Sequence, residues 1–404
     1  MRAHQRVDVL LWLAVLAGMV TVAGACAFSG RRPGDLDDVG SGGHLGAGGY
    51  ADGGDPGFEN PSSSSSGSSQ GGNGSSGSSS GHGGQQPGGC APGDEIPASV
   101  SALLDDVVGF GSAVTGGAAG CRYRVTNLND SGPGSLRAGA EASGPLWITF
   151  DLSGDITLSS PIDMASDKTI DGRGQYIRLF DAGIDIVNGT HNVIIENIIF
   201  KQGNANKTED ALRLKQDAHT VWIDHVSLSD YPDGLLDITR GSTDITVSWC
   251  KFSNHNKVML IGANTSHTGD SVIRVTLHHN WFKQTTQRHP RLRFGKVHAF
   301  NNLYDQWGSY GAASSHHGEL YSENNVYQAG SDKDAVLDQF GSDPSDGAVK
   351  SVGDSKLNGA VIVQNDAGSV FQPSQHYAYN ADQAGGSLQS AVESQAGWRN
   401  VPLP

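Results

Sequence analysis

A short block recurs six times between residues 193 and 327 of the 404-residue chain, and it restricts the fold more than any other feature. Each copy runs apolar-x-apolar, then a polar pair, then an apolar residue, and closes on an aromatic residue or Leu. The copies are Val193–Phe200 (VIIENIIF), Val221–Leu228 (VWIDHVSL), Ile245–Phe252 (ITVSWCKF), Val275–Phe282 (VTLHHNWF), Val297–Tyr304 (VHAFNNLY) and Leu320–Tyr327 (LYSENNVY). They start 28, 24, 30, 22 and 23 residues apart, the repeat length of a solenoid. Each is too short for a helix and rich in β-branched and aromatic residues, so each reads as a strand. Asparagine falls at the fifth or sixth place of four copies, as Asn197, Asn280, Asn301 with Asn302, and Asn324 with Asn325. Asn accepts left-handed backbone and can hydrogen-bond its own kind, so a column of such residues marks one corner of a coil. The expected fold class is all-β: a right-handed parallel β-helix whose stability sums over neighbouring rungs. An antiparallel sandwich would need tight two-residue turns, and the gaps between copies are far longer.

The remainder of the chain divides unevenly. Residues 1–25 carry Arg2 and Arg6, an apolar run from Val9 to Val22, and Ala23-Gly24-Ala25 before Cys26, which is the layout of a signal peptide. The small residues before Cys26 match a bacterial lipobox, so Cys26 is the expected lipid anchor; export without a lipid is the alternative. Residues 26–90 form the anchor cysteine and a Gly/Ser-rich linker, too poor in apolar side chains to offset the entropy of ordering. Residues 91–404 are the folded domain. Ala98–Val108 has the apolar spacing of a short N-terminal capping helix over the open first rung, and Gly386–Gly397 reads as a closing helix. Of the four cysteines, Cys90 and Cys121 are close enough in the chain to pair or stay free, while Cys250 sits in an apolar strand as a buried thiol. Forty-two acidic against 27 basic residues give a net charge of −15, which argues against nucleic acid or anionic lipid as the main partner.

Two segments are more specific than the repeat. Val221–Gly262 and Val275–Asn302 resemble the central part of the pectate lyase superfamily, polysaccharide lyase family 1, and Tyr123–Ala142 is similar to its entry segment. The resemblance runs from about Gly109 to Tyr327 and fades beyond Gln339. It implies cleavage of de-esterified polygalacturonate by β-elimination, with Ca2+ as cofactor. Asp210 of TEDALRL and Asp233 and Asp237 of DGLLDI match the calcium ligands. Many members carry another acid two places before Asp210, where this chain has Thr208; Glu209, beside it, should face the opposite way in a strand. Arg288 of QRHP matches the arginine that takes the C5 proton, and Lys257 and Arg293 match the cations that grip substrate carboxylates. Lys257, Lys283, Arg288, Arg291, Arg293 and Lys296 gather in one segment and its neighbouring rung, so a polyanion is expected to meet a basic local field despite the net charge. The implied protein is an exported bacterial enzyme, secreted or held at the cell surface, monomeric, and touching a membrane only through its N-terminal lipid.

Other residues have structural readings. Asp224 and His225 form an internal hydrogen-bonded support. His278 and His279, adjacent in a strand, point oppositely and serve packing at the corner rather than a metal. Three rival functions stand beside the lyase: a calcium-free pectin lyase, a hydrolase needing two carboxylates across the bond, and a binding β-helix without catalysis.

Overall fold

The structure, a computed structural model, describes residues 90–207 and 209–404. The signal segment, Cys26, the Gly/Ser linker and Thr208 lie outside the described residues. Each repeated block proves to be two strands rather than one. The first copy supplies His191–Glu196 and Ile199–Gly203. The break falls at a residue in the left-handed region, with φ between 50° and 57°: Asn197, His225, Trp249, His279, Asn301 and Asn324. Asn pays little for that conformation, whereas Trp249 is placed there by stacking on His279 with ring centroids 4.3 Å apart.

Coiling of these units builds three sheets whose strands pair in parallel with the coil before and after. Sheet 1 has ten strands, from Cys121–Val125 to Ala348–Val352. Sheet 2 has nine, from Gly154–Thr157 to Ser355–Leu357, and sheet 3 has nine, from Ile162–Asp163 to Val361–Ile362. The register keeps like above like. Val193, Val221, Ile245, Val275, Val297 and Leu320 form one fully buried column. Phe252, Phe282, Tyr304 and Tyr327 form another, their rings stacked at 5.1, 4.9 and 4.3 Å. Aromatic pairs at such distances add to the free energy of area burial alone.

The asparagine corner is a ladder. Asn280 Nδ2 donates to Asn302 Oδ1 at 2.9 Å and Asn302 Nδ2 to Asn325 Oδ1 at 3.0 Å, while the backbone N–H groups of Asn280 and Asn302 donate to the same oxygens. Asp354 ends the column by accepting from Asn325, and Cys250, a buried free thiol, occupies the equivalent place one coil earlier.

The terminal segments cover outer faces as well as ends. The helix Ala98–Ser101 and the following 3-10 turn lay Val100 and Leu103 against Trp147, Ile194 and Trp222 on the outside of sheet 1. The first rung is instead closed by the helix Leu136–Ala140, whose Leu136 and Ala140 are buried in the main core. Its start is capped by Ser135, whose Oγ accepts from Ala138 N. The helix Gly386–Gln395 lies on sheet 2, with Leu388 and Val392 against Trp281, Leu303 and Val326. Beyond it the chain runs back along the coils, pairing at Trp249, Asn197 and Gly174. Cys90 and Cys121 are joined in a disulfide that ties the domain's start to the first strand of sheet 1.

Candidate active site

Sheet 3 and the turns at its edge carry the three aspartates with Lys257, Arg288, Arg291 and Arg293. Lys283 lies instead on sheet 2, and Lys296 on sheet 1, paired to Glu319, so the basic residues do not form one surface. The central strands of sheet 3 are Leu212–Lys215, Gly234–Thr239, Lys257–Ile261, Arg291–Arg293 and Ala312–Ser315. The register sets Arg213, Asp237, Leu260 and Arg291 in one row across four coils. Asp210 lies just before its strand, Asp233 at the lip of the next, and Asp237 within it.

Gly234 lets the acids converge. Its N–H donates to Asp210 Oδ1 at 2.6 Å. A Cβ added at Gly234 would lie 2.6 Å from Asp210 Oδ1 and 3.0 Å from Asp237 Oδ1, so both oxygens crowd one point that only glycine leaves open. Burial, and then the neighbouring charge of Asp233, push the Asp210 carboxyl up to about 6. Asp237 is also pushed well upward, first by burial and then by Asp210, with Arg288 as the opposing influence. The two half-buried carboxylates thus converge on one point with Asp210 raising the pKa of Asp237, and hard oxygen donors of this kind suit a divalent ion that completes its shell with water or substrate. Asp233 is set apart, its side chain 48% exposed and its Oδ1 3.5 Å from Lys257 Nζ. Among the described residues, only Glu196, Asp224 and His225 bring three ligating atoms within 4.8 Å of one another, so the three aspartates are not drawn that tight.

Arg288, itself in the left-handed region, lies two coils beyond Asp237, close enough to act on its charge, and its buried Nε has no hydrogen-bond partner. Arg293 is placed differently from Lys257. Its side chain is 7% exposed, Nε donates to Asp343 Oδ2 at 3.1 Å, and Nη1 donates to the carbonyls of Gly262 and Ala263 at 3.4 and 3.2 Å. Glu209 precedes its strand, so the strand alternation expected for it does not apply; it lies 3.7 Å from Lys207 Nζ.

Two other sequence readings concern the corner. His225 Nδ1 and Asp224 Oδ2 are 2.6 Å apart, and Asp224 also accepts from Ser248 Oγ, which accepts from Trp222 Nε1: the expected internal support. His278 and His279 do not point oppositely. Their Nδ1 atoms are 3.0 Å apart, because His279 occupies the left-handed corner and the strand alternation ends at His278. Burial, joined by the neighbouring His279, pushes His278 down to about 3, so it is neutral in the working range.

Residues missed by sequence reasoning also belong here. Asp343 is one, and His255 is another: its Nε2 is 2.7 Å from the Asp233 carbonyl and fixes the lip that carries this acid.

Comparison with known proteins gives this geometry its context. The pectate lyase family model matches residues 148–401, more than half of the chain. The chain belongs to the pectate lyase family. Pectate lyase 1 of Hesperocyparis arizonica is 36% identical over 293 residues, 65% of this chain and 80% of that one. Probable pectate lyase P56 of Solanum lycopersicum is 39% identical over 250 residues, 56% of this chain and 63% of that one. The crystal structure of jun a 1, the major cedar pollen allergen, aligns with a TM-score of 0.66 at 31% identity, covering 74% of this chain and 94% of that one. The thermostable pectate lyase PL 47 shares the β-helix, with a TM-score of 0.61 at 22% identity. Family membership makes this chain a polysaccharide lyase.

Proposed function

We propose that this lyase cleaves de-esterified polygalacturonate by calcium-assisted β-elimination on the outer face of sheet 3. The observation that carries the reading is the convergence of Asp210 and Asp237 over Gly234, with Arg288 two coils away. Asp210, Asp237 and Asp233 are the residues that would hold Ca2+. When bound there, the ion supplies Lewis-acid chemistry, drawing electron density from a uronate carboxylate and so acidifying C5–H. Lys257, beside the acids, pairs with a second carboxylate and orients the sugar ring. Arg288 takes the C5 proton, its unpartnered Nε marking a guanidinium that its own chain leaves unsaturated. Arg293 completes the cationic wall that stabilises negative charge developing on the substrate. The C4 oxygen then leaves, and a double bond forms between C4 and C5.

Export, lipidation at Cys26 and the linker as a tether that lets the domain sweep a volume belong to the same proposal. The test is incubation with polygalacturonate with and without calcium, following ultraviolet absorbance of the unsaturated product. Absorbance that grows only with calcium is the expected result. Activity after exhaustive chelation would favour a calcium-free pectin lyase, and reducing ends without absorbance would mean a hydrolase.

A further inference from the structure

Arg293 carries five N–H donors, and this chain uses four of them: Nε and Nη2 on Asp343, and both on Nη1 for the Gly262 and Ala263 carbonyls. A residue that is to grip a uronate therefore already grips a carboxylate. Asp343 Oδ2 also accepts from Arg291 Nη2 at 3.1 Å and from Ser315 Oγ at 3.0 Å, and Ser315 is the register partner of Arg293 on the next coil. Arg291, Arg293 and Asp343 are all at least nine-tenths buried. Burial pushes the Asp343 carboxyl upward, but Arg293 and Arg291 outweigh it and hold the group below its ordinary value.

Asp343 belongs to a segment that closes on itself outside the repeated coils. Gly347 N donates to the Asp338 carbonyl, Ser345 Oγ donates to Asp338 Oδ2, and Asp343 N donates to the Phe340 carbonyl. Phe340 seats the segment, its ring 4.3 Å from Tyr310 and 5.0 Å from the Arg291 guanidinium. Two guanidiniums against one carboxylate leave this locus with a positive charge.

We propose that Asp343 is a specificity-determining residue: its carboxylate is an internal surrogate for a substrate uronate, and it makes the Arg293 seat selective for long chains. This rests on the lyase reading given above. A tethered carboxylate competes at an effective concentration on the order of millimolar. A short oligogalacturonate, meeting Arg293 as a nearly free ligand, loses to it. A polymer already held near Asp237 and Lys257 presents its next carboxylate at a comparable effective concentration and displaces Asp343. Asn at 343 keeps the size but loses the charge-assisted bonds, which are roughly twice as strong as neutral ones.

The experiment is calorimetric titration of trigalacturonate and of polygalacturonate, with calcium present, into the full chain carrying Arg288→Lys to suppress cleavage, comparing Asp343 in place with Asp343→Asn and Phe340→Ala. Circular dichroism of each variant checks the fold. Phe340→Ala loosens the segment without changing charge and carries the test if Asp343→Asn does not fold. Affinity for the trimer should rise about tenfold in Asp343→Asn and less in Phe340→Ala, while affinity for the polymer changes by no more than about threefold. Trimer affinity that is unchanged or weakened in the folded variants overturns the proposal, because Asp343 would then brace Arg293 rather than compete for it. Wild type that neither binds nor cuts polygalacturonate would instead remove the lyase reading itself. Wild type that works while the trimer gains nothing counts against Asp343 alone.

Discussion

Asp210→Asn should make the calcium-free enzyme more stable while weakening its hold on calcium. The Asp210 carboxyl stands at about 6 against an ordinary 3.8, chiefly through burial and then through Asp233. A carboxyl whose pKa is higher in the folded than in the unfolded state binds more protons when folded, so stability falls as pH rises. The fall begins near the unfolded value and is complete above the folded one, a window of pH 4 to 7. At about 1.4 kcal/mol per pKa unit, the full cost is about 3 kcal/mol. Asn still offers Oδ1 to the Gly234 N–H but carries no charge, so it avoids that cost. Unfolding entropy of about 2.1 cal/mol/K per residue converts 3 kcal/mol in a domain of this size to about 4–5 °C. The assay is a thermal melt in chelator at pH 4 and pH 7.5, repeated with saturating calcium at pH 7.5. The variant should match wild type at pH 4, exceed it at pH 7.5, and gain much less from calcium, since stabilisation by a ligand follows its affinity for the folded state. A chelated variant no more stable than wild type at pH 7.5, or equally favoured at pH 4, would refute the claim that Asp210 is held at a cost for a cation.

Arg288→Lys should bind polygalacturonate within a few-fold of wild type yet lose at least about 100-fold in turnover, because lysine keeps the charge but not the planar fork and reach; near wild-type turnover would show that another group takes the proton. Asn302→Ala should cost about 2–5 kcal/mol in a denaturant melt, since it orphans the buried Asn280 N–H and Leu277 carbonyl; a loss under 1 kcal/mol would mean the ladder relaxes. Removing residues 27–89 should leave turnover on soluble substrate unchanged, and a large fall with the fold intact would place that stretch within the domain. Fatty-acid labelling should vanish in Cys26→Ser, and equal labelling of both proteins would end the lipoprotein reading.

The coil was legible because a solenoid writes its third dimension into the chain: each turn meets the next after 22 to 30 residues, so like residues recur at that spacing. The corner inside each block was legible only where Asn marks it, at Asn197, Asn301 and Asn324. Eight residues of strand-forming type give no sign of a left-handed break at His225 or Trp249, where stacking between coils overrides local preference. The amphipathic stripe of Ala98–Val108 was visible, but a stripe does not say which apolar face it meets, and sheet 1 offered Trp147 and Trp222. In the site, Asp233, Asp237, Arg288 and Arg293 lie in two short stretches that the coil brings together. Asp343 reaches Arg293 across 50 residues and from outside the repeats, so no spacing pointed to it.

The arrangement along sheet 3 also explains how a chain of net charge −15 can serve a polyanion. Acids occupy successive early coils, with Asp185 paired to Arg213, then Asp210 and Asp237; bases follow, with Lys257, Arg288 and Arg291. Coils stack about 4.8 Å apart, so acids and bases on neighbouring coils, such as Asp233 and Lys257, lie within one Debye length, about 8 Å at physiological salt. A polymer lying along the row is therefore governed by the local pattern and hardly at all by the distant surface. Without a cation the acidic end repels it, and the Asp210 and Asp237 carboxyls, raised first by burial and then by neighbouring acids, lie in that end. A divalent ion offsets most of the charge at that end and bridges it to substrate carboxylates, so polymer and metal should bind with positive coupling, each raising the affinity of the other by the same factor. That reciprocity follows from acids and bases sharing one sheet face, and it needs no movement of the coil.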